Sequence, residues 1–371
     1  MVDRLVKNLF PRITTQKSAS SKSLAGPVKL PRRRALTLLS LFVASGIGLG
    51  WLTQAQPANP QNKDVELTLV TYAVTKAAYE KIIPLFAAKW KRETGQTIRF
   101  KQSYGGSGSQ TRAVIDGLQA DIVQLALAGD TNKIQKAGLI NPGWEKEVPN
   151  NGTVTKSVIA LVVRPGNPKK IKDWGDLTKN GIRVITANPK TSGGARWNFL
   201  GLWGSVSETG GNEAKARQYV TQVYKNVPIL PKDAREASDI FFKQDQGDVL
   251  LNYENEVILA RLNGEVQPYV LPSVNISIDA PVAVVDKNVD KHGTRKPSEA
   301  FVKFLFTPEA QREFAKSGFR PVNATVAKEF SSKYPKISKL YTVKDFGGWD
   351  AVQQKFFADG AIFDQIQKEK R

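Results

Sequence analysis

From Asp64 onward the chain alternates two kinds of apolar spacing. Short runs rich in β-branched residues, "VELTLVTYA", "TIRFKQS" and "ADIVQLAL", are separated by "KAAYEKIIPLFAAKWKRETG" and "SQTRAVIDGLQ", in which apolar residues recur every three or four positions. The first spacing belongs to strands and the second to one face of a helix. In the longer helical run Tyr79, Ile82, Ile83, Phe86 and Trp90 share a face, and Gly95 supplies the stop. The alternation restarts near "KSVIALVVRPGNP" and "GIRVITANP", and again at "APVAVVDK". Repeated βα units predict an α/β chain of two lobes, each a mostly parallel sheet flanked by helices. Crossings between lobes are expected near 150–158 and 274–281. That gives a first lobe from 59–153 and 278–371, a second from 154–277, and a C-terminal tail free to pack on either. With 371 residues, 41% of them apolar, the chain has the material for two cores.

Residues 1–58 stand apart as a basic extension. "PRRRALTLLSLFVASGIGLGWLTQAQPANP" has a basic front, an apolar stretch from Ala35 to about Leu52 and a small-residue exit, with Thr53 and Ala55 at the −3 and −1 places of a cleavage site. This is the pattern of an export signal cleaved near Ala55 or Ala58, which places the mature protein in a periplasm. The extension also changes the meaning of the net charge of +20: nine of the Lys and Arg lie before residue 59 against Asp3 alone. The remainder is basic, but its cations are dispersed among acids with no nucleic-acid-binding motif, so no nucleic-acid partner is expected.

Chemistry is narrowed further by what is missing. There is no cysteine, so disulfides, thiolate metal sites, cysteine nucleophiles and a lipidated N-terminal Cys are excluded. The single histidine, His292 in "DKHGTRKP", reads as a solvated loop residue, which leaves no histidine triad or multi-histidine metal site. Acid and base roles would fall to carboxylates. Glu254 and Glu256 in "YENE" are the candidates, but one intervening residue points them different ways, and salt bridges or helix caps suit them better. No enzyme, cofactor or metal is expected.

Two glycine clusters carry the positive signal. "TSGGARWN", Thr191 to Asn198, follows a short strand over Arg183 to Thr186, and Trp197, Leu200, Gly201 and Gly204 then recur at helical spacing, with Ser192 near the N-cap. "SYGGSGSQTRAV", Ser103 to Val114, repeats the strand, turn and helix order in the other lobe. Neither is the phosphate loop of nucleotide hydrolases nor the nucleophile elbow of hydrolases. A helix start offers unpaired N–H groups and the positive end of the dipole, and glycines let a ligand approach them. Each is an anion cradle or merely a good cap. One per lobe suggests a dianion held between lobes.

The mature chain resembles the periplasmic sulfate-binding proteins of sulfate and thiosulfate ABC importers. The likeness runs in order through "KRETG", "GGSG", "ADIVQLAL", "VVRPGNPK", "IKDWGDL", "VITANPKTSGGARWN", "GDVLLNYENE", "PVAVVDK", "FLFTPEAQREFAKSGFRPV" and "FGGWD". The resemblance implies a two-lobed periplasmic-binding-protein fold of type II with the ligand in the cleft between lobes. It implies that a dehydrated dianion is held by neutral donors: the N–H of Ala73, Ser107, the hydroxyl of Ser192, the N–H groups of Gly193 and Gly194, and the N–H of Ala234. The family's indole donor falls at Tyr253, where a phenol replaces it, and Arg196 is implied to brace the loop without touching the anion. Sulfate or thiosulfate is the implied ligand, with molybdate or tungstate as the alternative that the smaller aromatic at Tyr253 allows. Because no carboxylate stands among these residues, hydrogen phosphate, which needs an acceptor for its O–H, is expected to be rejected. Hinge closure, delivery to a membrane permease driven by its ATPase, and a monomeric state complete what the resemblance implies.

Overall fold

The structure is a computed structural model that describes residues 64–370. The export signal and the cleavage near Ala55 or Ala58 lie outside the described residues. In chain order the strands are β1 (Val65–Tyr72), β2 (Ile98–Gly105), β3 (Ile122–Gln124), β4 (Thr153–Ser157), β5 (Ile159–Val163), β6 (Val184–Ile185), β7 (Val249–Tyr253), β8 (Tyr269–Val270), β9 (Val274–Ile276), β10 (Ile278–Val284) and β11 (Lys339–Tyr341). They form a sheet of order β2-β1-β3-β10-β4, a second of order β6-β7-β5-β8, and a short β11-β9 pair.

Both main sheets are mixed, which corrects the expectation of mostly parallel ones. β1 runs parallel to β2 and β3, whereas β10 is antiparallel to β3 and β4. In the second sheet β6 and β7 are parallel, and β5 is antiparallel to β7 and β8. The reason is connectivity: the chain leaves the first sheet along β4 and returns along β10, and neighbouring strands that carry it out and back must oppose each other. The changes of sheet fall at Val158 and Ser277, so β4 extends the first sheet past residue 153. Pro281, which has no N–H for the ladder, sits where the β10–β4 register shifts.

The helices that position the site are α1 (Lys76–Thr94), α2 (Ser107–Ile115), α3 (Ala128–Lys136), α4 (Gly193–Ser207), α5 (Glu213–Lys225), α6 (Ala234–Phe242) and α7 (Glu254–Leu262). α1 buries Tyr79, Ile82, Phe86 and Trp90 on one face, with Ile83 at its margin, and ends at Gly95, whose φ of 75° only glycine adopts without strain. Its aromatics meet Phe301 and Phe314 from the returning chain, Phe86 and Phe301 lying 5.0 Å apart between ring centres. α4 is buried all round from Gly193 to Gly204, because the second sheet covers one side and the C-terminal segment the other.

That C-terminal segment packs on elements of both sheets. Trp349 lies edge-on to Trp197 of α4 at 4.6 Å, and Asp350 pairs with Lys136 of α3 at 2.9 Å. Farther along, Asp364 holds Lys190 at 2.9 Å and Glu369 holds Arg217 of α5 at 2.6 Å. His292 is not a loop residue: it closes the helix Asp286–His292, ahead of Gly293 at φ 70°, and its Nδ1 lies 2.9 Å from the buried carboxylate of Asp121. Gly293 and Pro297 punctuate two helices there, and their nearness in sequence mimics a loop.

Candidate anion-binding site

Three helix starts converge. α2 follows β2 through Gly106, α4 follows the turn after β6 through its N-cap Ser192, and α6 is capped by Asp233. Ala73 opens a short 3-10 turn at the end of β1, and Tyr253 ends β7. The space among them is a small cavity, lined in part by Ala73, Ser107, Ser192 and Gly193. Gly194, Ala234 and Tyr253 complete the set read from the sequence, so all seven line one cavity. Tyr72, Val74, Gly105, Gly106, Ala126 and Asp233 line it as well.

The caps leave the leading N–H groups free. Ser192 Oγ accepts from the N–H of Ala195 at 3.2 Å, and Asp233 Oδ1 from that of Glu236 at 2.9 Å, each the third helical position. Ahead of these, the N–H groups of Gly193, Gly194 and Ala234 have no acceptor among the described residues. Ser192 is thus a cap and a donor at once: its oxygen takes the Ala195 N–H, and its own hydrogen remains to be given. Ser107 differs. Its hydroxyl donates to Asp130 Oδ2 at 2.7 Å and accepts from Ala126 N at 3.0 Å, so only its backbone N–H is left for a ligand.

Tyr253 is 2% exposed, and its hydroxyl has no hydrogen-bond partner. A buried hydroxyl without a partner costs roughly 1–3 kcal/mol. Burial pushes the phenol well above its ordinary value, with the ring of Tyr72 and the charges of Glu256, Asp130 and Asp233 adding to the effect, so it stays a donor at neutral pH. It lies beside the helix start: a Cβ built on Gly194 would stand 2.9 Å from the Tyr253 hydroxyl oxygen.

Behind the cavity the two sheets' helices are tied by a buried ion pair. Arg196 Nη1 of α4 reaches Asp130 Oδ1 of α3 at 2.6 Å, and Nε reaches the carbonyl of Pro189 at 2.9 Å. Arg196 is absent from the cavity lining. Burial alone would raise the Asp130 carboxyl; Arg196, Lys133 and the Ser107 hydrogen bond outweigh it and hold it below its ordinary value. Trp197 Nε1 donates to the carbonyl of Ala126 at 2.8 Å, and Gly108 N to that of Thr191 at 3.0 Å, so the α2 and α4 starts are knit together. Glu254 and Glu256 stand apart from this: Glu254 accepts from Arg320 at 2.6 and 3.0 Å, and Glu256 from Arg235 at 2.8 Å and Ser238 at 2.9 Å. They are structural ion pairs, as their spacing indicated.

Sequence reasoning missed Asp130 and Asp233. Asp130 sits in "LAGDTNK", which carries no motif, and in "PKDARE" the resemblance singled out only the backbone of the neighbouring Ala234. The one available signal was the N-cap position of Asp233 ahead of Glu236, three residues on.

Neutral donors at converging helix starts, between two mixed sheets joined by two crossings, define a receptor for an oxyanion. Residues 67–320 match the model of the bacterial extracellular solute-binding proteins, and the chain belongs to that family. Within it, the chain is 66% identical to the sulfate-binding protein of Synechococcus elongatus over 82% of this chain and 87% of that one. It is 40% identical to the thiosulfate-binding protein of Pseudomonas aeruginosa, over 88% and 96% respectively. Among solved structures, the sulfate-binding protein SubI of Mycobacterium tuberculosis superposes with a TM-score of 0.73 at 37% identity, covering 79% of this chain and 99% of that one. These relatives are named for binding and not for catalysis.

Proposed function

We propose that the protein is an extracytoplasmic receptor that encloses dehydrated sulfate or thiosulfate between two lobes and delivers it to an ABC importer. The observation that carries this reading is the unpartnered Tyr253 hydroxyl, buried in the same small cavity as the free N–H groups of Gly193, Gly194 and Ala234. Each N–H or O–H aimed at an ionised oxygen contributes about 1.5–3 kcal/mol, so several together, helped by helix dipoles, offset the dehydration of a dianion. The lobes hinge at the two crossings, around Val158 and Ser277, and the closed form docks as a monomer on the permease. Release into the periplasm follows cleavage near Ala55 or Ala58.

Tyr253→Phe separates ligand binding from mere packing. It is expected to leave the sulfate-free protein as stable as before or slightly more so, because a buried unpartnered hydroxyl is removed, while weakening sulfate by about 1.5–3 kcal/mol. Paired thermal melts with and without sulfate read both effects. Ser192→Ala is expected to weaken sulfate by a similar amount; a loss under about 0.5 kcal/mol would leave the hydroxyl as a cap only. Calorimetric titration of the desalted protein with sulfate, thiosulfate and molybdate tests the assignment itself. Molybdate binding with sulfate silent would transfer it to the molybdate and tungstate receptors.

A further inference from the structure

Two residues ahead of Ser192, Lys190 belongs to the turn that leads into α4, and it takes no part in the cavity lining. Its side chain is 31% exposed, and the C-terminal segment surrounds its ammonium. The ammonium donates to the carbonyls of Phe357 and Ala358 at 3.2 and 3.3 Å, to Asp364 Oδ2 at 2.9 Å and to Asp359 Oδ1 at 3.4 Å, so three protons are shared among four acceptors. Phe357 and Ala358 end a wide helical turn, Gln353–Phe357, in which the Ala358 N–H reaches back five residues to the Gln353 carbonyl at 2.7 Å. The turn is well anchored: the Phe357 ring packs on Phe199 of α4 at 5.3 Å, and Phe363 on Tyr224 of α5 at 5.7 Å.

The main chain of the same turn is held from other directions. The Lys190 carbonyl accepts from Arg112 Nη1 of α2 at 3.3 Å, and the Thr191 carbonyl from Gly108 N of the same helix at 3.0 Å. The Thr191 hydroxyl donates to the carbonyl of Lys232, just ahead of α6, at 2.6 Å. Lys190 and Thr191 thus join the start of α4 to the other two helix starts and to the C-terminal segment.

We propose that Lys190 is a positioning residue for the anion: its ammonium ties the turn before Ser192 to the C-terminal segment, so that the Ser192 hydroxyl and the Gly193 and Gly194 N–H groups are aimed before the ion arrives. The proposal rests on the oxyanion reading above. Hydrogen bonds weaken steeply once their angle falls below about 120°, so donors on a loosened turn must be reordered at each binding event, at a cost in affinity. The positive charge of Lys190 also attracts a dianion from a distance, and Asp364 separates the two effects by sign. Removing that carboxylate takes a negative charge away from the anion but loosens the tie.

The test is stopped-flow and equilibrium titration with sulfate of the desalted protein, Lys190→Met, Lys190→Arg and Asp364→Asn, in dilute buffer and in about 1 M sodium chloride, where the screening length is about 3 Å. Lys190→Met is expected to weaken sulfate by about tenfold at both salt concentrations, through faster dissociation, with Lys190→Arg losing less and Asp364→Asn losing about threefold. A purely structural role would lower the melting point of the sulfate-free protein and leave the dissociation rate of the folded protein alone. A dissociation rate in Lys190→Met within about twofold of wild type, a loss that disappears in salt, or tighter binding by Asp364→Asn would each overturn the positioning role while leaving sulfate binding standing. Should Lys190→Met fail to fold, Asp364→Asn decides alone: weaker sulfate supports the tie, and unchanged or tighter sulfate overturns it. Sulfate silent in the wild-type protein would overturn the receptor reading, and this inference with it.

Discussion

Gly193→Val is expected to weaken sulfate binding by about a hundredfold to ten-thousandfold. A Cβ at this position would stand 2.6 Å from Ala126 Cβ and 3.0 Å from Ser107 Cβ. Neither obstacle is the far end of a flexible side chain, so backbone must move. Ala126 and Ser107 belong to segments of the first sheet, and Gly193 starts α4 against the second, so the displacement separates the helix starts that surround the cavity. Overpacking of this kind costs about 1–3 kcal/mol, and withdrawal of the Gly193 N–H from the ion about 1.5–3 more. Together these correspond to roughly two to four decades in affinity. Titration with sulfate reads it directly, and an unchanged dissociation constant would remove Gly193 from the site.

Arg196→Met is expected to lower stability by about 3–5 kcal/mol near neutral pH, since it strands the wholly buried Asp130 without its principal partner. Lys133, at 3.5 Å from the same carboxylate, keeps the loss toward the low end. The pH dependence gives the cause away. In the native protein the Asp130 carboxyl is held below its ordinary value, so its contribution is present above the unfolded carboxylate range near pH 4 and is lost as pH falls through the folded value. In the variant, burial is left to dominate and raises the carboxyl, so protonation relieves the folded state and the deficit shrinks as pH falls toward 5. Urea unfolding at pH 7.5 and pH 5.5 measures both. A deficit that does not change with pH would mean that Arg196 matters for its packing alone.

What the sequence showed, it showed through local spacing. α1 was legible because four buried residues and a terminal glycine repeat at helical intervals, and α4 because a serine and two glycines precede an apolar run. The same local logic located the starts of α2 and α4, whereas the start of α6 at Ala234 was implied by the resemblance alone. Strand direction was not legible, since a period of two looks alike in parallel and antiparallel ladders, and β10 owes its direction to where the chain returns from. Asp130 was hidden for a related reason: a lone aspartate in a polar turn reads as solvated until its partner, Arg196, arrives from 66 residues away. Asp233 was passed over because the resemblance drew only the neighbouring Ala234 N–H from that segment, and its place in the cavity lining shows only in the fold.

The place of β10 has a consequence for how the molecule is made. It lies between β3 and β4, so the first sheet is completed by residues 278–284, synthesised after the whole of the second sheet. A chain emerging in order can form β1, β2 and β3, but β4 has no neighbour until β10 arrives. The sheet that begins first is therefore completed only after every strand of the second has been made. Closing it requires contacts between strands well over a hundred residues apart, the kind of long-range pairing that slows folding. A chain that stops before Ile278 should remain open and accessible to protease along β4, and α4 would also lack the cover of the C-terminal segment.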